Sequence, residues 1–317
     1  MKVSLLEPIG ISKNVLEELA EKLVKEGHEF TYYDTKTTDM EELKRRTKDQ
    51  DIVMIANNPY PAEVVASSDK LKMISVAFTG IDHVGVNACK DKNVMICNAA
   101  GYSNQTVAEL TIGMAITALR NLVEADRRVR KQGTSAGIGG REIAGRTVGI
   151  VGLGNIGLTV AKLFQAFGAK VIAYNRSRSQ EAADLGIEYK TLDEVMKESD
   201  IISVHLPLND STRGFISADK IALMKKDAVF INCARGPIVD NAALAEALKA
   251  EKIGYACIDV YDMEPPIPED YPLLNCPNTF LTPHQAFISE ESMVRRAQIV
   301  FDNVYAYIDG KPINVCK

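Results

Sequence analysis

The fold of this chain is decided by residues 147–157, which read TVGIVGLGNIG. The first five form a short apolar run of the kind that makes a buried parallel strand. The last six match the pattern GxGxxG, with Gly152, Gly154 and Gly157 at its glycine positions. Residues 156–167 continue with helical spacing of apolar side chains. A strand, a glycine turn and a helix in this order predict the start of an open, mostly parallel α/β sheet.

The glycine turn predicts a dinucleotide-binding site. Its first glycine permits a tight turn, its second lets the backbone approach a pyrophosphate, and its third allows close packing of helix on strand. The helix that follows offers amide N–H groups and the positive end of its dipole to an anion. Glycine-rich turns also serve as plain connections. Here the next apolar run, at 170–174, completes the expected unit.

The end of that next strand indicates which dinucleotide is used. A carboxylate there would bind the 2′-hydroxyl of NAD, whereas arginine accommodates a 2′-phosphate. This chain has Asn175 at the decisive place, followed by Arg176, Ser177 and Arg178, and no acid before Glu181. The pattern favours NADP. The alternative is that both arginines are solvated loop charges and either cofactor is used.

Two series of apolar runs alternate with helical segments along the chain, which predicts two α/β domains with a cleft between them. A glycine-rich segment at 132–145 separates the series, and residues 104–119 are apolar enough to form a buried helix. Ser12 and Gly27 are the expected cap and stop of the first helix. After Ser289, a long amphipathic helix ends at Gly310 and is expected to pack back on the first domain. Strands are predicted at 2–6, 52–56, 73–78, 94–97, 147–151, 170–174, 200–204, 228–231 and 255–260.

The composition excludes several classes of protein. Of 317 residues, 46% are hydrophobic and 25% charged, which is typical of a globular protein, and the net charge of −5 argues against nucleic-acid binding. The first residues predict no signal peptide, and the apolar stretch 107–119 is too short to span a bilayer. Six cysteines without a CxxC pair predict core thiols in a reducing, cytoplasmic compartment, and no metal site is expected.

Three polar residues follow the carboxyl ends of successive predicted strands, where ligands of open α/β sheets bind. His284 follows Thr282-Pro283 and suits proton transfer near neutral pH. Glu264 would orient that imidazole, and Arg235 would clamp a carboxylate with its planar fork. Each of them alone is also compatible with a surface ion pair or a loop charge. His205, which ends another strand, is equally compatible with a cofactor contact and with a structural role.

These residues together resemble the D-isomer-specific 2-hydroxyacid dehydrogenase family over nearly the whole chain. The matching pieces are 79–82 (TGID), 107–110 (VAEL), 149–157, 205–208 (HLPL), 232–236, 259–265 and Pro283-His284. The resemblance implies two doubly wound parallel-sheet domains, with a Rossmann cofactor domain inserted into a flavodoxin-like substrate domain. The substrate domain would comprise residues 1–101 and 288–317, and the cofactor domain residues 102–287.

The resemblance also implies roles for individual residues. Arg235 would bind the substrate, Glu264 and His284 would form the acid/base dyad, and the loop of Phe78, Thr79 and Gly80 would hold the substrate carboxylate. The expected cofactor contacts combine the glycine turn and the loop after residue 174 with the positions that the resemblance implies. They are Gly152, Gly154, Asn155, Ile156, Gly157, Asn175, Arg176, Ser177, His205, Leu206, Pro207, Thr212, Cys233, Ala234 and Asp259. The resemblance places Asp259 near the nicotinamide carboxamide. Formate dehydrogenases of the family carry glutamine where Glu264 stands, which counts against formate as the substrate.

The expected function is reversible hydride transfer between NAD(P)H and a small 2-keto acid, giving a D-2-hydroxy acid. Phe78, Tyr102 and Phe287 are candidates for the substrate's side-chain pocket, which leaves glyoxylate, hydroxypyruvate, pyruvate and bulkier keto acids open. Family members are usually homodimers. The rival hypotheses are a dinucleotide-sensing regulatory protein similar to the C-terminal-binding-protein corepressors and a methyltransferase that uses the glycine turn. The methyltransferase hypothesis leaves Arg235, Glu264 and His284 unexplained.

Overall fold

The computed structural model describes residues 1–263 and 266–316. The chain forms two compact units, one of Met1–Ser103 with Ile288–Lys317 and the other of Asn104–Phe287. Each unit is built on one sheet whose strand pairs are all parallel, with helices in the connections between the strands. The predicted fold class, two parallel-sheet α/β domains, is confirmed.

The first unit contains a five-stranded sheet in the order β2-β1-β3-β4-β5. Its strands are β1 (Lys2–Leu5), β2 (Glu29–Tyr32), β3 (Ile52–Ile55), β4 (Met73–Val76) and β5 (Met95–Cys97). Its helices are α1 (Lys13–Lys25), α2 (Met40–Thr47), α3 (Ala62–Ala66), α4 (Val86–Asp91) and α12 (Glu290–Ile308). Strand β2 was not predicted. It lies at the sheet's edge with mostly exposed side chains, so it has no apolar run that would reveal it.

Helices α1 and α12 begin where the sequence predicts. The Ser12 side chain accepts the Val15 amide at the start of α1, and Gly27 follows its end at a φ of +80°. The apolar spacing of the first helix also predicts that Val24 is buried; this prediction was wrong, because Val24 is 60% exposed. Helix α12 is capped by Ser289 and packs against β4, whose Ser75 hydroxyl donates to the Val300 carbonyl at 3.0 Å.

The second unit contains a seven-stranded sheet in the order β12-β11-β10-β9-β6-β7-β8. Its strands are β6 (Thr147–Val151), β7 (Lys170–Tyr174), β8 (Glu188–Tyr189), β9 (Ile201–Val204), β10 (Val229–Asn232), β11 (Tyr255–Ile258) and β12 (Thr279–Leu281). Its helices are α5 (Asn104–Leu119), α6 (Leu122–Arg130), α7 (Asn155–Ala166), α8 (Gln180–Asp184), α9 (Leu192–Glu198), α10 (Ala218–Ile221) and α11 (Asn241–Lys249). Strands β8 and β12 are too short to show a period. Strand β8 was not predicted, and β12 was implied only by the placement of His284 after the end of a strand.

Helix α5 is the buried helix that the sequence predicts. Its side chains are buried on nearly every side, and they pack in one apolar cluster with α7 and the strands β6, β7 and β10. The glycine-rich segment 132–145 separates the two series of strands and belongs to the second unit. Among the described helices, none alone is long and apolar enough to cross a bilayer. Helices α5 and α6 reach that length and composition only together, across a bend of 63°.

Candidate functional site

The carboxyl edge of the second sheet collects most of the predicted site residues. Because the strands are parallel and adjacent, the segments that follow them lie along the same edge. From one side of the sheet to the other, the residues at or just after the strand ends are His284, Asp259, Arg235, His205, Gly152 and Asn175. Residues from six separate parts of the sequence are therefore brought together by the strand order.

The glycine turn has the shape that a phosphate needs. Gly152 has a φ of +98°, and a Cβ placed there would lie 2.7 Å from the His205 carbonyl oxygen. A Cβ at Gly157 would lie 2.1 Å from the Gly152 carbonyl oxygen, so helix α7 approaches β6 only because residue 157 is glycine. A Cβ at Gly154 would meet no described atom within 4 Å. Helix α7 begins at Asn155, so Asn155 and Ile156 present its first amides beside this open space.

The loop after β7 is organised around Asn175. Its Oδ1 accepts the Leu153 amide at 3.2 Å, and its Nδ2 donates to the Ser177 carbonyl at 2.8 Å. Asn175 therefore ties the glycine turn to the loop that carries both arginines. Arg176 and Arg178 are exposed, and the Arg178 guanidinium lies 5.6 Å from the centre of the Tyr189 ring. Residues 175–178 of this loop thus include two cations and no carboxylate.

His205 is a neutral histidine beside the glycine turn. Its Nε2 lies 2.8 Å from the Ser203 hydroxyl, and burial lowers the pKa of His205 to about 3. Leu206 and Pro207 continue from it. The Leu206 side chain would lie 3.0 Å from a Cβ at Gly152, and the Thr212 hydroxyl bonds to the Pro207 carbonyl at 2.6 Å. The hydroxyl of Thr212 thus closes the loop that borders the turn.

Asp259 holds the backbone turn that carries His284. Its carboxylate is fully buried and accepts the Thr282 hydroxyl at 2.6 Å and the amides of Gln285 and Ala286, each at 2.9 Å. The amide of His284 also donates to the Asp259 carbonyl at 2.8 Å. His284 itself has a φ of +55°, a conformation that costs a non-glycine residue energy. These bonds keep His284 at the sheet edge in a conformation that the chain alone would rarely adopt.

A second set of contacts shapes the turn that carries Arg235. The Asn232 side chain accepts the Ala234 amide at 3.0 Å and donates to the Arg235 carbonyl at 3.1 Å. The Arg235 Nη1 donates to the Ala234 carbonyl at 2.8 Å. A Cβ at Gly236 would lie 1.9 Å from the Tyr261 carbonyl oxygen, so only glycine lets this turn pack against the segment after β11.

Asn241 links the same turn to the segment that leads to Glu264. Its Nδ2 donates to the Gly236 carbonyl at 3.2 Å and to the Asp262 carboxylate at 2.9 Å, and the Tyr271 hydroxyl donates to that carboxylate at 3.0 Å. Glu264, the predicted dyad carboxylate, lies outside the described residues, and so does Pro265. The contacts of Asn241 reach to within two residues of it along the chain.

The strand order brings Arg235 and His284 near each other. Arg235 follows β10 and His284 follows β12, with β11 and Asp259 between them. Adjacent strands lie just under 5 Å apart, so the two turns start about 10 Å apart on one edge. A guanidinium and an imidazole that extend from turns this close can both reach one small substrate that has a carboxylate and a neighbouring carbonyl.

Cys233 and Ala234 are both nearly buried, each about 9% exposed. The Cys233 sulfur lies 3.5 Å from the Met114 sulfur in the apolar core, and burial raises the pKa of its thiol well above the ordinary value. The side chain of Cys233 is therefore a core group. Any contact with a cofactor at this position would be made through the backbone.

The loop of Phe78, Thr79 and Gly80 belongs to the first unit and follows β4. The Asn98 side chain donates to the Thr79 carbonyl at 2.8 Å, and the Ala99 amide donates to the Phe78 carbonyl at 3.0 Å. Phe78 is buried whereas Thr79 is exposed. The loop is thus anchored by the backbone carbonyls of Phe78 and Thr79 and by the buried Phe78 ring.

Sequence reasoning missed the residues that support the site. Asn232 was named only as the first residue of the matching piece 232–236, and Asn241 was given no role. Glu7 and Arg296, both buried charged residues of the first unit, were not considered. Two signals in the sequence point to them: Glu7 directly follows an apolar strand, and Arg296 lies in the buried stripe of α12 beside Ala297. A charge at such a position requires compensation.

Comparison with known proteins identifies the family. Residues 112–286 match the model described as "D-isomer specific 2-hydroxyacid dehydrogenase, NAD binding domain". Over 96% of its length, the chain is 32% identical to a glyoxylate reductase of Aeropyrum pernix and covers 93% of that protein. Over 86% of its length, it is 37% identical to a D-3-phosphoglycerate dehydrogenase of Methanocaldococcus jannaschii, but it spans only 52% of that relative.

A solved structure agrees over the full length. It is described as "Acyclic imino acid reductase (Bsp5) in complex with NADPH and D-Arg", with a TM-score of 0.90 and 30% identity over 100% of both chains. These three relatives are named as reductases or dehydrogenases, which argues for an enzyme and against the regulatory alternative. The matched family model, the curated relatives and the arrangement of strands lead to one conclusion: this chain belongs to the D-isomer-specific 2-hydroxyacid dehydrogenase family.

Proposed function

We propose that this protein is an NAD(P)H-dependent D-2-hydroxyacid dehydrogenase that reduces small 2-keto acids. The single observation that carries the proposal is the edge of the second sheet, where Arg235 and His284 follow strands on either side of β11 and the glycine turn follows β6. The nicotinamide cofactor supplies the hydride for C2 of the keto acid when bound.

The chain's own residues orient the substrate and move the proton. Arg235 binds the carboxylate of the substrate, because a planar guanidinium offers two parallel donors to it. In the first unit, the loop of Phe78, Thr79 and Gly80 is the part that the family resemblance assigns to carboxylate binding. Protonated His284 gives its proton to the oxygen on C2 as negative charge develops there, and the family resemblance assigns to Glu264 the role of its partner in acid/base catalysis. Asp259 supports this step by holding the backbone on both sides of His284.

An initial-rate panel tests the function directly. Glyoxylate, hydroxypyruvate, pyruvate and a branched 2-keto acid are each measured with NADPH and with NADH, and the product's configuration is assigned by chiral chromatography. We expect turnover of at least one keto acid to the D-2-hydroxy acid. The absence of turnover with all four, in a preparation that binds NADPH, would contradict the proposal.

A second candidate activity is reduction of an imino acid. It is favoured by the full-length likeness to a structure described as an acyclic imino acid reductase. The same panel therefore includes each keto acid together with ammonia or methylamine. If the rate depends on the amine and the product is a D-amino acid, imino acid reduction replaces the hydroxyacid proposal. A rate that is independent of the amine supports the hydroxyacid proposal.

We propose a preference for NADP over NAD. The support is the absence of a carboxylate at Asn175, whose oxygen already accepts the Leu153 amide, and the exposed Arg176 and Arg178 beside it. Replacing both arginines with glutamine should raise KM for NADPH about tenfold and leave KM for NADH nearly unchanged. Equal effects on both cofactors would show that the arginines do not distinguish them.

We also propose a homodimer in the cytoplasm. Helix α6 buries none of its residues in the chain and exposes Leu122, Val123 and Val129, the last at 70%. Exposed apolar side chains grouped on one helix are typical of an association surface. Sedimentation of the protein should give twice the chain's mass, and Val129→Asp should shift it toward the monomer. A monomer in the wild type would contradict the proposal.

A further inference from the structure

Arg296 is a buried cation at the centre of the first unit's loops. It lies on α12, is 4% exposed, and stands among buried residues of that helix that are mostly apolar. Burial lowers the pKa of Arg296, while Tyr102 and Glu7 act in the opposite direction. A buried cation needs neighbouring groups that stabilise its charge, and these groups identify the segments that Arg296 holds in place.

The neighbours of Arg296 come from three different loops at the carboxyl edge of the first sheet. Its Nη2 donates to the Ile9 carbonyl after β1 at 2.5 Å. Its guanidinium carbon lies 5.4 Å from the centre of the Phe78 ring after β4 and 5.8 Å from the centre of the Tyr102 ring after β5. The two rings are 6.1 Å apart and meet edge to face at 66°.

Two further contacts extend this arrangement. The carboxylate of Glu7 lies near enough to Arg296 for their charges to interact, and its Oε1 accepts the amides of Ala56 at 2.8 Å and Asn58 at 3.2 Å in the loop after β3. The neighbouring Arg295 donates to the Tyr102 carbonyl at 3.0 Å. The loops after β1, β3, β4 and β5 are thus all linked to one charged pair.

We propose that Arg296 is the positioning residue for the substrate-carboxylate loop, which it holds through the rings of Phe78 and Tyr102. The inference rests on the proposed function of that loop. Phe78 precedes Thr79 and Gly80 directly, and its buried ring fixes where their backbone lies. Since Arg296 acts through Phe78, its loss should weaken substrate binding more than it slows the chemical step.

The test compares two buried arginines of the same unit. Arg46 is 5% exposed, lies 4.3 Å from the Tyr33 ring and donates to the Leu6 carbonyl at 2.7 Å. It therefore resembles Arg296 in burial, ring contact and attachment to the loop after β1, but none of its described contacts involves Phe78 or Tyr102. Arg296→Met and Arg46→Met remove similar groups, and only the first should affect the carboxylate loop.

The measurements are KM and kcat for the best keto acid of the panel, the inhibition constant of oxamate, and the NADPH affinity from fluorescence. Arg296→Met should raise KM and the oxamate constant about tenfold, with kcat and NADPH affinity changed less than threefold. Arg296→Lys should recover part of the loss, since an ammonium keeps the charge but not the planar fork. Arg46→Met should leave all four values close to those of the wild type.

A double-mutant cycle keeps the proposal falsifiable if Arg296→Met folds poorly. Phe78→Leu removes one ring that Arg296 faces, so Arg296→Lys should cost little more in that background. Additive effects, or equal KM changes in Arg296→Met and Arg46→Met, would overturn the inference and leave the proposed function intact. A wild type that turns over no keto acid would overturn the proposed function and the inference with it.

Discussion

Among the residues that the structure describes, each of the two sheets has one buried carboxylate that ties together the loops at its carboxyl edge, and the two carboxylates differ in their hydrogen bonds. Asp259, in the second unit, accepts hydrogen bonds on both oxygens, two on Oδ1 and one on Oδ2. Glu7, in the first unit, accepts two on Oε1, and no described atom hydrogen-bonds to its buried Oε2. Burial raises the pKa of Glu7, although two amides, Lys36 and Arg296 act against that rise.

This difference in hydrogen bonding gives the two carboxylates different roles. A carboxylate with donors on both oxygens is a fixed anchor for backbone, and the His284 turn that it holds is the part we assign to chemistry. For a buried carboxylate with donors on only one oxygen, ionisation costs more free energy. Glu7 is such a carboxylate, and it lies near Arg296, which we assign to substrate positioning through two aromatic rings. Three substitutions test this contrast.

His284→Gln should have the largest effect, because it removes the proton donor from the turn that Asp259 holds. General acid catalysis typically contributes ~10²–10⁴-fold, so kcat should fall by that order while NADPH affinity barely changes. Stopped-flow and steady-state rates measure the first quantity, and NADPH fluorescence the second. His28→Gln is the control: its Nδ1 lies 2.9 Å from the N-terminal amine in the first unit. An unchanged kcat in His284→Gln would remove His284 from its role.

Asp259→Asn should have the next largest effect. The amide keeps the shape of the side chain but presents only one oxygen to three donors, so the His284 turn loosens. Bonds to a charged group contribute about 1.5–3 kcal/mol, which corresponds to a fall in kcat of roughly 10- to 100-fold, and Tm should drop by several degrees.

A matched aspartate at the other end of the same sheet provides the control for this variant. Asp200 accepts the Thr147 amide at 2.9 Å and pairs with Lys225 at 2.8 Å, next to the first residue of β9. Asp200→Asn should lower Tm and leave kcat unchanged. If both variants lose stability and neither loses activity, Asp259 is structural only.

Glu7→Gln should have the smallest effect, and one that depends on pH. The folded pKa of Glu7 lies above its ordinary value of 4.5, so the folded state binds more protons in the window above pH 4.5. The wild type therefore loses stability as pH rises through that window, and the glutamine variant does not. Urea unfolding is measured at pH 4.5 and at pH 7. The free energy of unfolding of the variant, relative to that of the wild type, should be greater at the higher pH. A constant difference would place the pKa of Glu7 at its ordinary value.

Much of the second unit was predictable because its signals are local. The run TVGIVGLGNIG combines a strand, a turn and a helix within eleven residues, and Gly152 and Gly157 stand where the structure needs glycine. The caps at Ser12 and Ser289 and the buried helix α5 were predictable for the same reason. By contrast, β2 and β8 were missed because an exposed or very short strand carries no period.

The sequence by itself determined the fold class, the glycine turn and the residue types needed for the proposed chemistry, since these depend on patterns within short stretches. Only the tertiary structure decided that Asp259 holds the His284 turn and that Arg296 joins loops from Ile9 to Tyr102. Such contacts depend on strand order and on which side chains become buried together. Residues 287 positions apart come into hydrogen-bonding distance only when the sheet and α12 are in place.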